Sequence, residues 1–268
     1  MDSDGHEKKD RARQVVVLNV LNTAIEHGDT GIWYGRIIEF PGTHARATSK
    51  AKLLSDLKAE LSYHIHWLQR HGEPIEYPDA RKWNVKEEVT GIRELGESGG
   101  EVALFDFDQQ SVDDRLLETV SRYMAYNRSD LLDICRSLDD EQMSYRPSGK
   151  GRCIAEILQH ICNAEEFYIS RLGRDADDVY EAHLGMPVSE ADRLPILARL
   201  DVVRAACVKT LEELIPSRQQ GVFQRAEYTH YPEERWTAFK VLRRFLEHER
   251  EHIYNIRGYL NIPLRSVT

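Results

Sequence analysis

Long apolar runs are missing from this sequence, and their absence limits what the chain can be. No stretch approaches the roughly 18 consecutive apolar residues that a membrane-spanning helix needs. The first ten residues are polar and charged, and they lack the apolar core of a secretory signal. We therefore interpret residues 1–13 as a disordered tail and expect a cytoplasmic protein without membrane contact.

Cysteine and basic charge are also scarce. The four cysteines form no CxxC and no paired spacing, so we expect reduced core residues rather than disulfides. Lys and Arg number 36 against 45 Asp and Glu, a net charge of −9, and neither half of the chain has the basic surplus that a phosphate backbone attracts. We expect no nucleic-acid partner. The sequence also lacks a nucleophile elbow, a phosphate-binding loop and a dinucleotide motif.

Strand-like patterns fill the first part of the chain. The β-branched run at 14–20 predicts a buried strand, and polar residues 26–31 predict a turn after it. Residues 32–40 and 43–48 predict two more strands on either side of Pro41 and Gly42. Two further segments, 83–89 and 101–107, could also be strands, on either side of the glycine-rich residues 96–100.

A helix follows these strands. Leucine and isoleucine recur at helical spacing from Leu53 to Leu68, which predicts a helix over 50–70 with Ser49 as its N-cap. Gly72 and Pro74 would end it.

The β-β-β-α order and the stretch EFPGTHARATSKAKLLSDLKAELSYHIHWLQRHGEPIE resemble the HicB-like fold over residues 14–78. That fold is a partial ribonuclease-H-like sheet with one helix. Residues 48–51 depart from the family, which usually has Gly-Asp-Thr and acidic residues there. HicB antitoxins generally carry an added DNA-binding segment, but this chain shows neither a helix-turn-helix nor a basic arm. The resemblance implies a module for dimerisation or partner contact, and we expect a homodimer.

The rest of the chain predicts helices only. Apolar stripes at helical spacing indicate four of them, at about 111–138, 153–172, 189–215 and 233–260. A four-helix bundle is the economical way to bury such stripes. The predicted fold class is therefore an α+β domain at 14–108, followed by an all-α four-helix bundle at 109–268.

Three histidines carry the chemistry. His248 and His252 stand four apart in a segment without Pro or Gly, so both lie on one face of a helix. His160 must come from another helix. Such a pair by itself is most often a pair of surface residues. Neutral imidazole is, however, a common ligand of zinc, nickel and iron, and three ligands leave a position open for water or substrate.

The sequence around these histidines favours a metal site over a set of surface residues. The stretches PSGKGRCIAEILQHICNAEEFY at 147–168 and RWTAFKVLRRFLEHEREH at 235–252 resemble the DinB-like family, and the resemblance covers about 111–262. In that family one bundle helix supplies one histidine and a late HxxxH helix supplies two, which correspond here to His160, His248 and His252. Members usually have Trp where this chain has Cys153. The resemblance implies metal-dependent chemistry on small molecules, with thiol-S-transferases and some hydrolases or isomerases among the members.

The expected cofactor is a divalent metal (Zn, alternatively Ni or Fe), and a low-molecular-weight thiol is a candidate second cofactor. The catalytic group would be metal-bound water or thiolate, and the partner a small-molecule substrate or thiol. The alternative is a non-catalytic binding or regulatory protein with a HicB-like dimerisation module. Candidates to orient a ligand imidazole are Glu165, Glu249, Glu251 and Tyr254. For at least two of the three acids a solvated helix face is the favoured interpretation. Candidate residues at the pocket mouth are Tyr228, His230 and Tyr231.

Overall fold

The structure, a computed structural model, describes residues 20–78 and 82–265. Within them a small sheet precedes a helical region, so the predicted mixed α and β fold is confirmed. Over this part of the chain, the helices are too short or too polar to cross a membrane. The strands are β1 Val20–Gly28, β2 Trp33–Ile37, β3 His44–Ala47, β4 Lys82–Ile92, β5 Phe223–Gln224 and β6 Arg235–Trp236.

The first four strands form one sheet in the order β3-β2-β1-β4. β1 and β2 pair antiparallel, as do β2 and β3, whereas β4 runs parallel to β1. The strand predicted at 14–20 lies outside the described residues except for Val20. β1 continues through residues 26–28, where a turn was predicted. The prediction was wrong there because Glu26 is buried and pairs with Arg36 of β2 at 2.6 Å instead of facing water.

Helix α1, Lys50–Arg70, has the predicted bounds. The Ser49 side chain caps it by accepting a hydrogen bond from the backbone N–H of Lys52 at 3.3 Å. One face of the helix packs on the sheet. Gly35 permits this approach, since a Cβ there would lie 2.9 Å from a methyl carbon of Leu53. The opposite face, with Trp67, joins the apolar core of the helical region.

Four long helices make up that region, as predicted. α2 contacts α7 and α8, and α4 contacts the same two, which closes a four-helix bundle. Shorter helices lie in its connections. The helices are α2 Asp114–Cys135, α3 Asp140–Ser144, α4 Ile154–Ser170, α5 Ala176–Leu184, α6 Val188–Ala191, α7 Ile196–Arg218 and α8 Ala238–Tyr259.

Three predicted elements differ from the observed ones. The helix predicted at 189–215 is split, because Pro195 lacks an N–H and begins α7 as its N-cap residue. The helix predicted at 233–260 begins only after Thr237, since residues 235–236 pair with β5. Residues 101–107 form no strand. They run in an irregular path into a 3₁₀ turn at Asp106–Gln109.

A buried chain of ion pairs joins the sheet to α8. Arg36 donates to Glu26 at 2.6 Å and to Glu247 at 2.9 Å. Arg243 donates to Glu247 at 3.0 Å and to Asp108 at 2.9 Å. All five side chains are at most 5% exposed. Buried charges need such partners, so this side of α8 is held against the sheet rather than against water.

Candidate metal centre

Helices α4 and α8 bring three imidazoles together. The Nε2 atom of His248 lies 3.2 Å from Nε2 of His160 and 3.0 Å from Nε2 of His252. One nitrogen from each of the three residues lies within 4.8 Å of the other two. His160, His248 and His252 are called the triad below.

Burial keeps the triad neutral. It lowers the pKa of His160 to about 4, with a further contribution from the charge of Arg152. Burial also lowers the pKa of His252 to about 3, against the opposing effect of Glu251. The pKa of His248 is well below its usual range because of burial and the neighbouring His252. At neutral pH all three rings therefore offer lone pairs rather than positive charges.

The donor set fits a metal ion. Nitrogen lone pairs that converge at 3.0–3.2 Å repel one another unless a proton or a cation lies between them. For an ion about 2.0–2.1 Å from each nitrogen, these two distances correspond to nitrogen–ion–nitrogen angles of roughly 95° and 105°. Those angles leave one side of the ion open. Three imidazole nitrogens suit zinc, nickel or iron better than calcium or magnesium, which prefer oxygen ligands.

The triad lines a cleft of about 360 Å³, called the triad cleft below. Helices α4 and α8 form one wall, which includes Arg244, four residues before His248 and on the same helix face. Strands β2 and β3 and the loop after β4 form the opposite wall. Its residues are Tyr34, Arg46 and residues 95–102.

A polar cluster from both walls meets beside His252. The Tyr34 hydroxyl donates to Oε1 of Glu251 at 3.0 Å, and Nη1 of Arg46 donates to the same oxygen at 2.6 Å. Burial raises the pKa of Tyr34, and the negative charge of Glu251 adds to that effect. Burial disfavours the charge on Glu251, but the neighbouring positive charges, with Arg46 contributing most, together hold its pKa below the usual value. A carboxylate next to the triad is thus fixed by the sheet.

The family comparison agrees with this geometry. A family model described as the DinB superfamily matches residues 123–256, half of the chain. The chain belongs to the DinB superfamily. All three triad histidines lie in the matched part, whereas Tyr34, Arg46 and the loop after β4 lie outside it. No curated protein and no solved structure matches the chain.

Two of the acids expected to orient a triad imidazole have other partners in this DinB chain. Glu165 accepts from Arg128 at 2.6 Å and also from Arg204. Glu249 accepts from Arg128 at 2.7 Å and from Arg204 at 2.8 Å. All four residues are at most 6% exposed. The structure therefore corrects both interpretations of these acids, because they form a buried ion cluster rather than contacting a triad ring or facing solvent.

The other two candidates also differ from expectation. The Tyr254 hydroxyl donates to Glu60 of α1 at 2.6 Å, away from the triad rings. Glu251 lies in the triad cleft and acts on His252 through its charge, but its hydrogen bonds go to Tyr34 and Arg46. Two other residues contact triad rings. The side-chain nitrogen of Asn255 is 3.4 Å from Nδ1 of His252, and the ring of Tyr168 packs edge-on against His248. A half-turn of this amide would present its oxygen to an Nδ1–H.

Two of the three residues predicted at the pocket mouth line the triad cleft. Tyr228 and His230 line the triad cleft, and Tyr228 is 72% exposed. Tyr231 does not line it, because its hydroxyl donates to Glu94 at 2.8 Å and Arg93 stacks on its ring. Sequence reasoning missed Arg244 and Asn255, although their spacing from His248 and His252 on one helix face was a usable signal. It also missed Tyr34 and Arg46, which no local pattern links to the triad.

Proposed function

We propose that this DinB-superfamily protein binds one divalent metal ion through His160, His248 and His252, and that the metal serves chemistry on a small molecule. Zinc is the first candidate, with nickel and iron as alternatives. The observation that supports the proposal is the convergence of three neutral imidazoles on the wall of an open cleft, with Nε2 of His248 only 3.0 Å and 3.2 Å from Nε2 of the other two. A structural metal would not need the adjoining cleft.

When bound, the metal would supply Lewis acidity for a thiol-transfer or hydrolytic reaction. The protein's own groups would position the reactants. Glu251 offers a carboxylate that can accept a proton from a bound thiol or water, and Tyr34 and Arg46 fix its orientation. Asn255 holds the ring of His252. Aromatic side chains that line the cleft, Phe167, Tyr168 and Trp236, limit access of water to this side.

Elemental analysis of the purified protein tests the metal part of this proposal. We expect about one equivalent of metal per chain in the parent and a loss of at least tenfold in affinity in His160→Ala and His252→Ala, since two ligands hold a metal poorly. His66→Ala is the matched control, because His66 is exposed on α1. Full metal content in both triad variants would refute the site.

Two rate measurements test the catalytic part: transfer of a thiol to a model electrophile, and hydrolysis of a model ester. Activity above background that falls with metal content across the variants would support a thiol transferase or a hydrolase respectively. Metal loss without any change in either rate would leave the binding or regulatory function as the better account.

One observation favours the binding or regulatory function. β4 is an edge strand of 11 residues, and within the described part of the chain it pairs only with β1. A free edge of this length can add a strand from a partner. We propose a homodimer formed through this edge, in line with the HicB-like character proposed for the sheet and α1 and with the division into domains at 14–108 and 109–268. Sedimentation of the parent and of Val85→Pro, which blocks edge pairing, tests it.

A further inference from the structure

We propose that Arg152 and the loop of residues 96–100, called the glycine loop below, form an anion-binding corner of the triad cleft that selects carboxylate-bearing substrates. The proposal rests on the proposed function in one respect, since it takes the triad cleft as the substrate site. Both Arg152 and the glycine loop line that cleft together with the triad. The glycine loop comes from outside the part of the chain that matches the DinB superfamily.

Arg152 differs from the other two arginines of the cleft. Arg46 is paired with Glu251 at 2.6 Å, and Arg244 is paired with Glu247 at 3.2 Å. Arg152 instead donates to the hydroxyl of Ser98 at 3.0 Å, and no carboxylate among the described residues pairs with it. Its guanidinium charge is therefore available to a ligand, while the other two are already compensated.

Arg152 lies in the same cleft as the triad. The cleft is lined by Arg152, which lies just before α4 in the chain, and by all three imidazoles. A ligand that reaches the triad nitrogens with one end can place a negatively charged group near Arg152 with the other.

The glycine loop adds further donors. The backbone N–H groups of Ser98 and Gly99 donate to no acceptor among the described residues, and both residues line the triad cleft. Two backbone hydrogen bonds fix the shape of the loop, from Glu97 to the carbonyl of Glu94 at 2.9 Å and from Gly100 to the carbonyl of Glu97 at 3.1 Å. Glu97, the carboxylate of the loop, forms no ion pair with Arg152, whose partner within the loop is Ser98. A fixed loop with free N–H groups beside an uncompensated arginine suits a carboxylate.

The test compares mercaptoacetate with 2-mercaptoethanol, two small thiols of which only the first carries a carboxylate. Metal-free, ¹⁵N-labelled protein is titrated with each, and the amide signals of Ser98 and Gly99 are followed by NMR. We expect saturable shifts with mercaptoacetate and none with 2-mercaptoethanol. In Arg152→Gln the dissociation constant for mercaptoacetate should rise about tenfold, and Arg152→Lys should fall in between, because it keeps the charge but loses the planar fork.

Arg136→Gln is the matched control, since Arg136 is an exposed arginine outside the triad cleft. Its titration should equal that of the parent. Equal responses of the parent and Arg152→Gln, or an absence of shifts with mercaptoacetate in the parent, would overturn the anion-binding corner.

A second measurement separates this proposal from the metal site. The Co²⁺-loaded protein is titrated with both thiols, and the thiolate-to-cobalt absorption band is recorded. A band with equal affinities for the two thiols would overturn the anion-binding corner and leave the metal site intact. Failure to bind Co²⁺, together with amide shifts that depend on Arg152, would refute the metal site and leave the anion-binding corner in place.

Discussion

Replacement of Glu249 by Gln should destabilise the fold without removing metal, although Glu249 is the direct neighbour of His248. Its two carboxylate oxygens accept from Arg128 at 2.7 Å and from Arg204 at 2.8 Å. Glutamine keeps one acceptor oxygen and turns an N–H₂ group towards a guanidinium. Two buried arginines would then share the single charge of Glu165.

The expected loss of stability follows from this excess of buried positive charge. Breaking a buried ion pair from one side costs about 3–5 kcal/mol, and each kcal/mol lowers the melting temperature of a chain of this size by about 2–4 °C. We expect the melting temperature of Glu249→Gln to fall by about 10 °C. Metal content should stay at the parent level, because Glu249 makes no hydrogen bond to a triad ring among the described residues.

His252→Ala should give the opposite pattern. It removes one nitrogen of the triad and leaves the ion cluster intact, so metal should be lost while the melting temperature of the metal-free protein changes little. Thermal melts and elemental analysis of both variants decide the matter, with Glu212→Gln, an exposed acid on α7, as the control that should match the parent. Metal loss in Glu249→Gln at an unchanged melting temperature would refute the assignment of this acid to the ion cluster.

Three further predictions concern stability and reactivity. Leu57→Ala should cost about 2–5 kcal/mol of unfolding free energy in chemical denaturation, because Leu57 is fully buried, and half-buried Leu54→Ala should cost less. Gly100→Ala should cost about 1–3 kcal/mol, since its Cβ would meet the Glu94 carbonyl, whereas Gly151→Ala has open space and should match the parent in the same assay. Three buried thiols should resist Ellman's reagent at pH 8 until the chain is unfolded, because burial raises the pKa of each, and a fast reaction of any of them in the native protein would contradict their burial. These thiols are Cys135, Cys162 and Cys207.

Local periodicity accounts for what the sequence predicted well. The bounds of α1 follow from leucines at helical spacing and a serine cap, both of which act within one or two turns. The meeting of His248 with His252 follows from a spacing of four on one helix. The contribution of His160 came from the family resemblance, because nothing in the spacing of one sequence fixes contacts between distant helices.

Long-range partners account for what the sequence predicted poorly. Glu26 has the polarity of a turn residue, yet Arg36 and the covered sheet make it a buried strand residue. Glu249 has the polarity of a solvated helix face, yet Arg128 of α2 and Arg204 of α7 surround it. A charged residue shows no sign in its own neighbourhood of the distant charge that will pair with it. The position of Arg46 has the same origin, since its partner Glu251 is 205 residues away in the sequence.

The triad cleft is made by two parts of the chain, of which only one holds the triad. The three histidines lie on helices inside the DinB-matching residues, whereas the facing wall belongs to the sheet and the glycine loop outside them. Substitutions in the glycine loop can therefore alter which molecules enter while Tyr34 and Arg46 still hold Glu251 beside the triad. A fold divided in this way can keep one set of histidines and change the molecules that the cleft admits by exchanging only the loop opposite to them.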